Sequence, residues 1–147
     1  MSEFSKQLQV YVVEDSPIMS QLLTVSIRAA GAELVGHSAS AQRAISEISV
    51  LQPDLILVDI SLDLGNGFDV LRVLQDRGLA RSARKVVLTN HANAEYRALC
   101  FRLGADQFFD KSAETWQVLA LINAMAVGRA ANPHPPADRD AENHRRK

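Results

Sequence analysis

Five polar side chains in this sequence stand where apolar runs of strand length end. The pair Glu14-Asp15 follows residues 8–13, Asp59 follows Leu55–Val58, Thr89 follows residues 86–88, and Lys111 comes shortly after residues 107–109. Any one of them alone reads as a solvated loop residue. Together, three carboxylates, a hydroxyl and an ammonium suit a hard divalent cation and a phosphoryl group in transfer. Carboxylates crowded into one site repel one another, and Mg²⁺, bound through oxygens with several waters retained, relieves that repulsion. An aspartate oxygen is a competent nucleophile toward phosphorus, because phosphoryl transfer needs chiefly positioning and neutralisation of charge. In that scheme Lys111 pairs with the incoming phosphoryl oxygens and the Thr89 hydroxyl donates to one of them.

For these residues to meet, the chain must bring the carboxyl ends of four strands to one rim. The sequence predicts such a rim, since short apolar runs alternate with segments of helical period, the pattern of a parallel sheet covered on both faces. Ser16-Pro17 supplies a cap followed by proline at the first helical position. Ile18, Leu22, Val25 and Ala29 then recur as a core-facing stripe, with Gly31 as the stop. The next unit is a strand over 32–36 and a helix with Ala41, Ala44, Ile45 and Ile48 on one face, bounded by Pro53. Phe68, Leu71 and Leu74 mark a third helix ended by Gly78. Tyr96, Leu99, Cys100 and Leu103 mark a fourth closed by Gly104, and Val118, Leu121, Ile122 and Met125 mark the last. Five strand–helix pairs joined by right-handed crossovers make a doubly wound α/β sandwich, since a barrel needs roughly 250 residues. Ligands of such sheets sit beyond the carboxyl ends of the strands.

At 147 residues, with 47% hydrophobic and 22% charged side chains, the chain supports one substantial core. A formal charge of −1 offers no basic footprint for neutralising nucleic-acid phosphates, which speaks against direct binding to DNA or RNA. Residues 1–7 lack a basic region leading into an apolar stretch, and no apolar run approaches the roughly 18 residues of a membrane span. The expectation is a cytoplasmic protein. Cys100 is the one cysteine, so no internal disulfide forms, and its apolar helical setting predicts a small buried hydrophobe. From Gly128 the composition turns to Asn-Pro-His-Pro-Pro and then to mixed charges with little to bury. This predicts one domain over 1–127 and a disordered tail over 128–147, too short for an output domain.

The motifs Val12-Val13-Glu14-Asp15-Ser16, Leu57-Val58-Asp59-Ile60, Gly65-Asn66-Gly67, Val87-Leu88-Thr89 and Gly104-Ala105-Asp106-Gln107-Phe108-Phe109-Asp110-Lys111 occur in this order. In types and spacing they resemble the receiver domains of bacterial response regulators, over about residues 8–127. The resemblance implies a flavodoxin-like sheet of strand order 2-1-3-4-5 and phosphorylation of Asp59 by a sensor histidine kinase or histidine phosphotransfer protein. It further implies Mg²⁺ held by Glu14, Asp15, Asp59 and the Ser61 carbonyl, with the phosphoryl group bound by Thr89 and Lys111. Phe108 matches the family's aromatic switch position, which the resemblance pictures as turning inward when Thr89 is drawn to the phosphoryl group; the alternative is ordinary packing of Phe108 and Phe109 on a short strand. Ser61 and His91, two residues past Asp59 and Thr89, match positions that tune loss of the phosphoryl group, and His91 reads equally as a solvated loop residue. Signalling would proceed through protein contacts on the face made by the fourth helix, fifth strand and fifth helix, to a target the sequence does not name. The acting form would be a monomer or a phosphorylation-dependent homodimer.

The chain departs from the commonest family pattern at four positions. Ser112 replaces the proline that often follows the lysine, leaving the geometry of that peptide bond open. Asp63 stands where proline is frequent, Asn90 is larger than the usual small residue, and Phe108 lacks a tyrosine hydroxyl. Three other functions fit parts of the pattern. A phosphorylation-independent adaptor would not need Asp59, Thr89 and Lys111 together. A small aspartyl-phosphate phosphohydrolase would place an acid two residues after the nucleophile, where Ser61 stands. A flavin site would require a Gly/Ser/Thr-rich phosphate cradle instead of Glu14-Asp15.

Overall fold

The computed structural model describes residues 7–131. Ten elements alternate strictly: β1 (Gln9–Val13), α1 (Pro17–Ala29), β2 (Glu33–Ser38), α2 (Ala41–Leu51), β3 (Leu55–Val58), α3 (Gly67–Arg77), β4 (Arg84–Thr89), α4 (Ala94–Arg102), β5 (Gln107–Asp110) and α5 (Lys111–Ala131). The strands form one parallel sheet of order β2-β1-β3-β4-β5, as the resemblance implied. Its register pairs Val13 with Ser38 and Val58, Val58 with Val87, and Thr89 with Asp110, which aligns the carboxyl ends along one edge.

Alternation along the strands divides the core. Val10, Val12, Leu55, Leu57, Val86 and Leu88 pack with Leu23 and Ile27 of α1 and Val118 and Ile122 of α5. Tyr11, Val13, Ile56 and Val58 pack the opposite face against Ala44 and Ile48 of α2 and Val70 and Leu74 of α3. Ser16 caps α1 as expected, and Ser40, Asn66 and Asn93 do the same for α2, α3 and α4, each accepting a backbone N–H three residues on. Gly78 ends α3 at φ +65°, a left-handed conformation that costs a residue without Cβ least.

The stripe expected to bury α1 faces out instead. Ile18 and Val25 are 83% and 59% exposed, Leu22 and Ala29 are also exposed, and Met19, Leu23, Ile27 and Ala30 turn inward. The two apolar rows lie one residue, about 100° of helical rotation, apart. Periodicity does not choose between them, whereas the short connection from Val13 and the Ser16 cap set the helix phase. The end of the domain shifts as well. α5 continues through Ala131, beyond residue 127, and Arg129 pairs with Asp54 at 3.1 Å, tying the last turn to the start of β3. The remainder of the expected tail, 132–147, lies outside the described residues. Among the described residues no helix is long and apolar enough to cross a membrane.

Packing of β1 on β2 and α2 leaves no room at Gly36. A Cβ there would lie 2.5 Å from Tyr11 Cε2 and 2.7 Å from its Cδ2. The ring is fully buried, and its hydroxyl donates to Glu47 at 2.6 Å, so it has nowhere to swing. Gly36→Ala is expected to lower stability by about 1–3 kcal/mol through overpacking. A shift of the urea midpoint without a change in slope would report it.

Candidate functional site

Glu14 and Asp15 follow β1, Asp59 follows β3, Thr89 ends β4 and Lys111 opens α5. Their backbones are fixed by the sheet itself. Glu14 N–H donates to Ser38 O at 3.0 Å and Asp59 N–H to Val13 O at 2.9 Å, extending the β1–β2 and β1–β3 ladders by one residue each. The structure brings Glu14, Asp15, Asp59 and Lys111 together. Ligand oxygens of the three carboxylates lie within 4.8 Å of one another. Lys111 Nζ stands 2.8 Å from Asp59 Oδ2 and 2.9 and 3.0 Å from the two Glu14 oxygens, with all three side chains 7% exposed or less.

Three carboxylates against one ammonium leave a formal surplus of two negative charges. Burial raises the Glu14 carboxyl above its ordinary range, partly offset by hydrogen bonds from Lys111 and the Ser16 amide. Burial also works against the Lys111 ammonium, yet its hydrogen bonds with Asp59 and Glu14 prevail and push it upward. Asp15 is raised by burial and by the Asp63 carboxylate within hydrogen-bonding reach. A cluster of hard oxygens with uncompensated charge and one half-exposed member suits a divalent cation reached from solvent.

The remaining candidates occupy distinct places on the rim. Thr89 is buried, and its Oγ1 accepts the His91 N–H at 3.2 Å. Ser61 N–H points back to Asp59 Oδ1 at 3.3 Å, and an isolated bridge ties Ser61 to Asn66. The His91 side chain is exposed, 6.4 Å between ring centroids from Tyr96. Phe108 and Phe109 lie on opposite faces of β5. Phe108 is 6% exposed and packs with Ile60, Leu71, Val87 and Cys100, while Phe109 joins the α1–α5 core. The Lys111–Ser112 bond is trans.

The family model for the response regulator receiver domain matches residues 10–123. This chain belongs to that family. The receiver domain therefore acts in two-component signalling. It is 32% identical over 119 residues to the DNA-binding response regulator MtrA of Mycolicibacterium smegmatis, covering 79% of this chain and 49% of that protein. The chain thus spans about half the length of that relative. It is 23% identical to the chemotaxis protein CheY of Thermotoga maritima, with 80% and 97% of the two chains covered. The CheY-like receiver domain structure from Methanospirillum hungatei superposes with a TM-score of 0.73 at 19% identity, over 84% of this chain and 97% of that one.

Three contributors to the receiver site were not drawn from the sequence. Asp110 Oδ1 accepts the Ser112 N–H at 2.9 Å while Glu114 Oε1 accepts the Asp110 N–H at 2.9 Å, a reciprocal cap that starts α5 at Lys111 itself. The Asp-Lys-Ser-Ala-Glu run carries that signal, a capping acid followed by a glutamate one turn on. Asp63, noted in the sequence only as a departure from proline, adds a fourth carboxylate beside Asp15. Gly67 N–H donates to Ile60 O at 2.8 Å and lets the start of α3 lie directly against the Asp59 backbone.

Proposed function

We propose that this receiver domain takes a phosphoryl group onto Asp59 from a phosphohistidine of a sensor histidine kinase or histidine phosphotransfer protein. The observation that carries the reading is the Lys111 ammonium, 2.8 Å from Asp59 Oδ2 among carboxylates gathered at the strand ends. An Asp59 oxygen attacks phosphorus, the phosphorus–nitrogen bond of the donor breaks, and the imidazole leaves with the electron pair. Lys111 balances charge on the arriving oxygens, and the Thr89 hydroxyl turns from accepting the His91 amide to donating to the phosphoryl group. Glu14, Asp15, Asp59 and the Ser61 carbonyl would hold Mg²⁺, which when bound offsets charge on the carboxylates and the phosphoryl oxygens. Donor carboxylates within 4.8 Å of one another fit that ion. The chemistry is self-catalysed phosphotransfer to Asp59 and hydrolysis of the acyl phosphate by water, which restores the carboxylate and releases inorganic phosphate, with no other substrate turned over.

The acyl phosphate adds roughly −1.5 to −2 charges at the sheet edge. Output proceeds by protein–protein contacts through the α4–β5–α5 face, as a population shift between two arrangements of that face. Incubation with Mg²⁺ and acetyl phosphate, followed by intact-mass measurement, tests the acceptor. The expected result is one phosphoryl adduct on the wild type, abolished by EDTA and absent from Asp59→Asn. A wild type that stays unmodified, or an Asp59→Asn variant modified to the same extent, would overturn the reading.

A further inference from the structure

Lys111 holds the Glu14 and Asp59 carboxylates directly but makes no ion pair with Asp15. The third carboxylate is therefore aimed by its backbone, above all by the Glu14–Asp15 peptide. The N–H and C=O of one strand residue face the same neighbour, and at Glu14 that neighbour is β2. Glu14 N–H donates to Ser38 O at 3.0 Å, and a continued parallel ladder would bring the Ser40 N–H to the Glu14 carbonyl. Ser40 N–H turns back instead to Ser38 Oγ at 3.0 Å as the chain enters α2. The His37 ring takes that place, with Nε2 3.0 Å from Glu14 O. A carbonyl oxygen only accepts, so Nε2 carries the proton and donates it.

His37 is exposed and adds nothing to the core, so its contact with Glu14 acts on the site rather than on packing. The bond fixes the plane of the Glu14–Asp15 peptide and with it the direction in which the Asp15 side chain leaves the chain. Repulsion from Asp63 and Asp59 bears on the Asp15 carboxylate. A peptide free to rotate would relieve that repulsion by turning Asp15 outward, away from Glu14 and Asp59. We propose that His37 is a positioning residue for the cation site, donating to the Glu14 carbonyl so that Asp15 stays aimed at the ion. This rests on the acidic cluster being the Mg²⁺ site of the phosphotransfer proposed above.

Isothermal titration of the unphosphorylated protein with MgCl₂ tests the role in wild type, His37→Ala, His37→Phe and His37→Gln, with the urea midpoint of each measured in EDTA. Losing a contact one step behind the ligands costs about 10–100-fold in metal affinity, so the Ala and Phe variants are each expected to raise the Mg²⁺ Kd about tenfold or more. Phenylalanine keeps a ring without a donor, which separates the N–H from the bulk of the side chain. Glutamine can place an amide N–H where Nε2 stands, so His37→Gln should restore the wild-type Kd. A merely structural bond would lower the metal-free urea midpoint and leave the Kd unchanged. That result in the Ala and Phe variants would overturn the proposal, as would a Gln variant binding no tighter than Ala. A wild type that takes up no Mg²⁺ would instead overturn the cation-site reading itself, and the role of His37 with it.

Discussion

Replacing Lys111 by methionine is expected to lower the unfolding free energy by about 3–5 kcal/mol at neutral pH in the absence of Mg²⁺, the usual cost of leaving buried charge without its partner. Methionine keeps most of the side-chain length, so packing loss is a small part of that figure. The larger part comes from Glu14 and Asp59, 2% and 5% exposed, whose carboxylates would face each other with no ammonium between them. The pH dependence has a definite sign. In the wild type the Lys111 pKa is raised on folding, so its contribution is fully present below the unfolded value of 10.5 and fades only as pH rises through the folded value. In Lys111→Met the Glu14 carboxyl, already raised by burial, moves further up. The resulting penalty exists above that folded pKa and disappears as the carboxyl protonates on acidification. The deficit against wild type should therefore narrow toward pH 5. Saturating Mg²⁺ should recover part of it at neutral pH, because a cation bound only by the folded state stabilises by mass action. Urea denaturation at pH 7 and pH 5, with and without Mg²⁺, measures all three effects. A variant with the wild-type midpoint at pH 7 would show that the lysine does not hold the carboxylates together.

The elements that carry this site were readable because each rests on a local signal. Short apolar runs bounded by polar strand ends can only be buried strands in a chain that alternates them with helical periods. Ser16-Pro17 and Gly78 are positions where cap chemistry and backbone conformation coincide. What was not readable depended on phase or on partners distant in sequence. Two apolar rows on α1 fit a helical period equally well, and the row of Leu23 and Ile27, turned inward by the short connection from Val13 and the Ser16 cap, packs against β1 and α5. The extension of α5 through Ala131 follows from Arg129 reaching Asp54, 75 positions earlier in the chain. His37 looks like any exposed strand histidine until the fold sets it beside the Glu14 carbonyl. Lys111 and its carboxylates were visible as residue types, but that one ammonium reaches Glu14 and Asp59 at once is a product of the sheet register.

Gly67→Ala should damage the acceptor without touching any charged group. Gly67 has no unusual backbone dihedral, so an L-residue would adopt its conformation freely, and only space forbids a side chain. A Cβ would collide with the Asp59 carbonyl oxygen and stand 2.9 Å from Ile60 Cα, against backbone that cannot rotate away. The Asp59 backbone is itself held by its N–H bond to Val13 O, and its side chain by Lys111 at 2.8 Å. The strain must be relieved by moving either α3 or the acceptor loop. Overpacking of this kind costs about 1–3 kcal/mol or more. A misplacement of the nucleophile by about 1 Å costs on the order of 100-fold in rate. Gly67→Ala is thus expected to form the Asp59 adduct with acetyl phosphate about 100-fold more slowly than wild type, with a lowered denaturation midpoint. Gly128→Ala is the matched control. That residue lies within α5 with no atom within 4 Å of an added Cβ, so it should gain roughly 0.5–1 kcal/mol from reduced chain entropy and phosphorylate at the wild-type rate. If Gly67→Ala matched the control in both rate and midpoint, the close approach of α3 to Asp59 would have no part in positioning the acceptor.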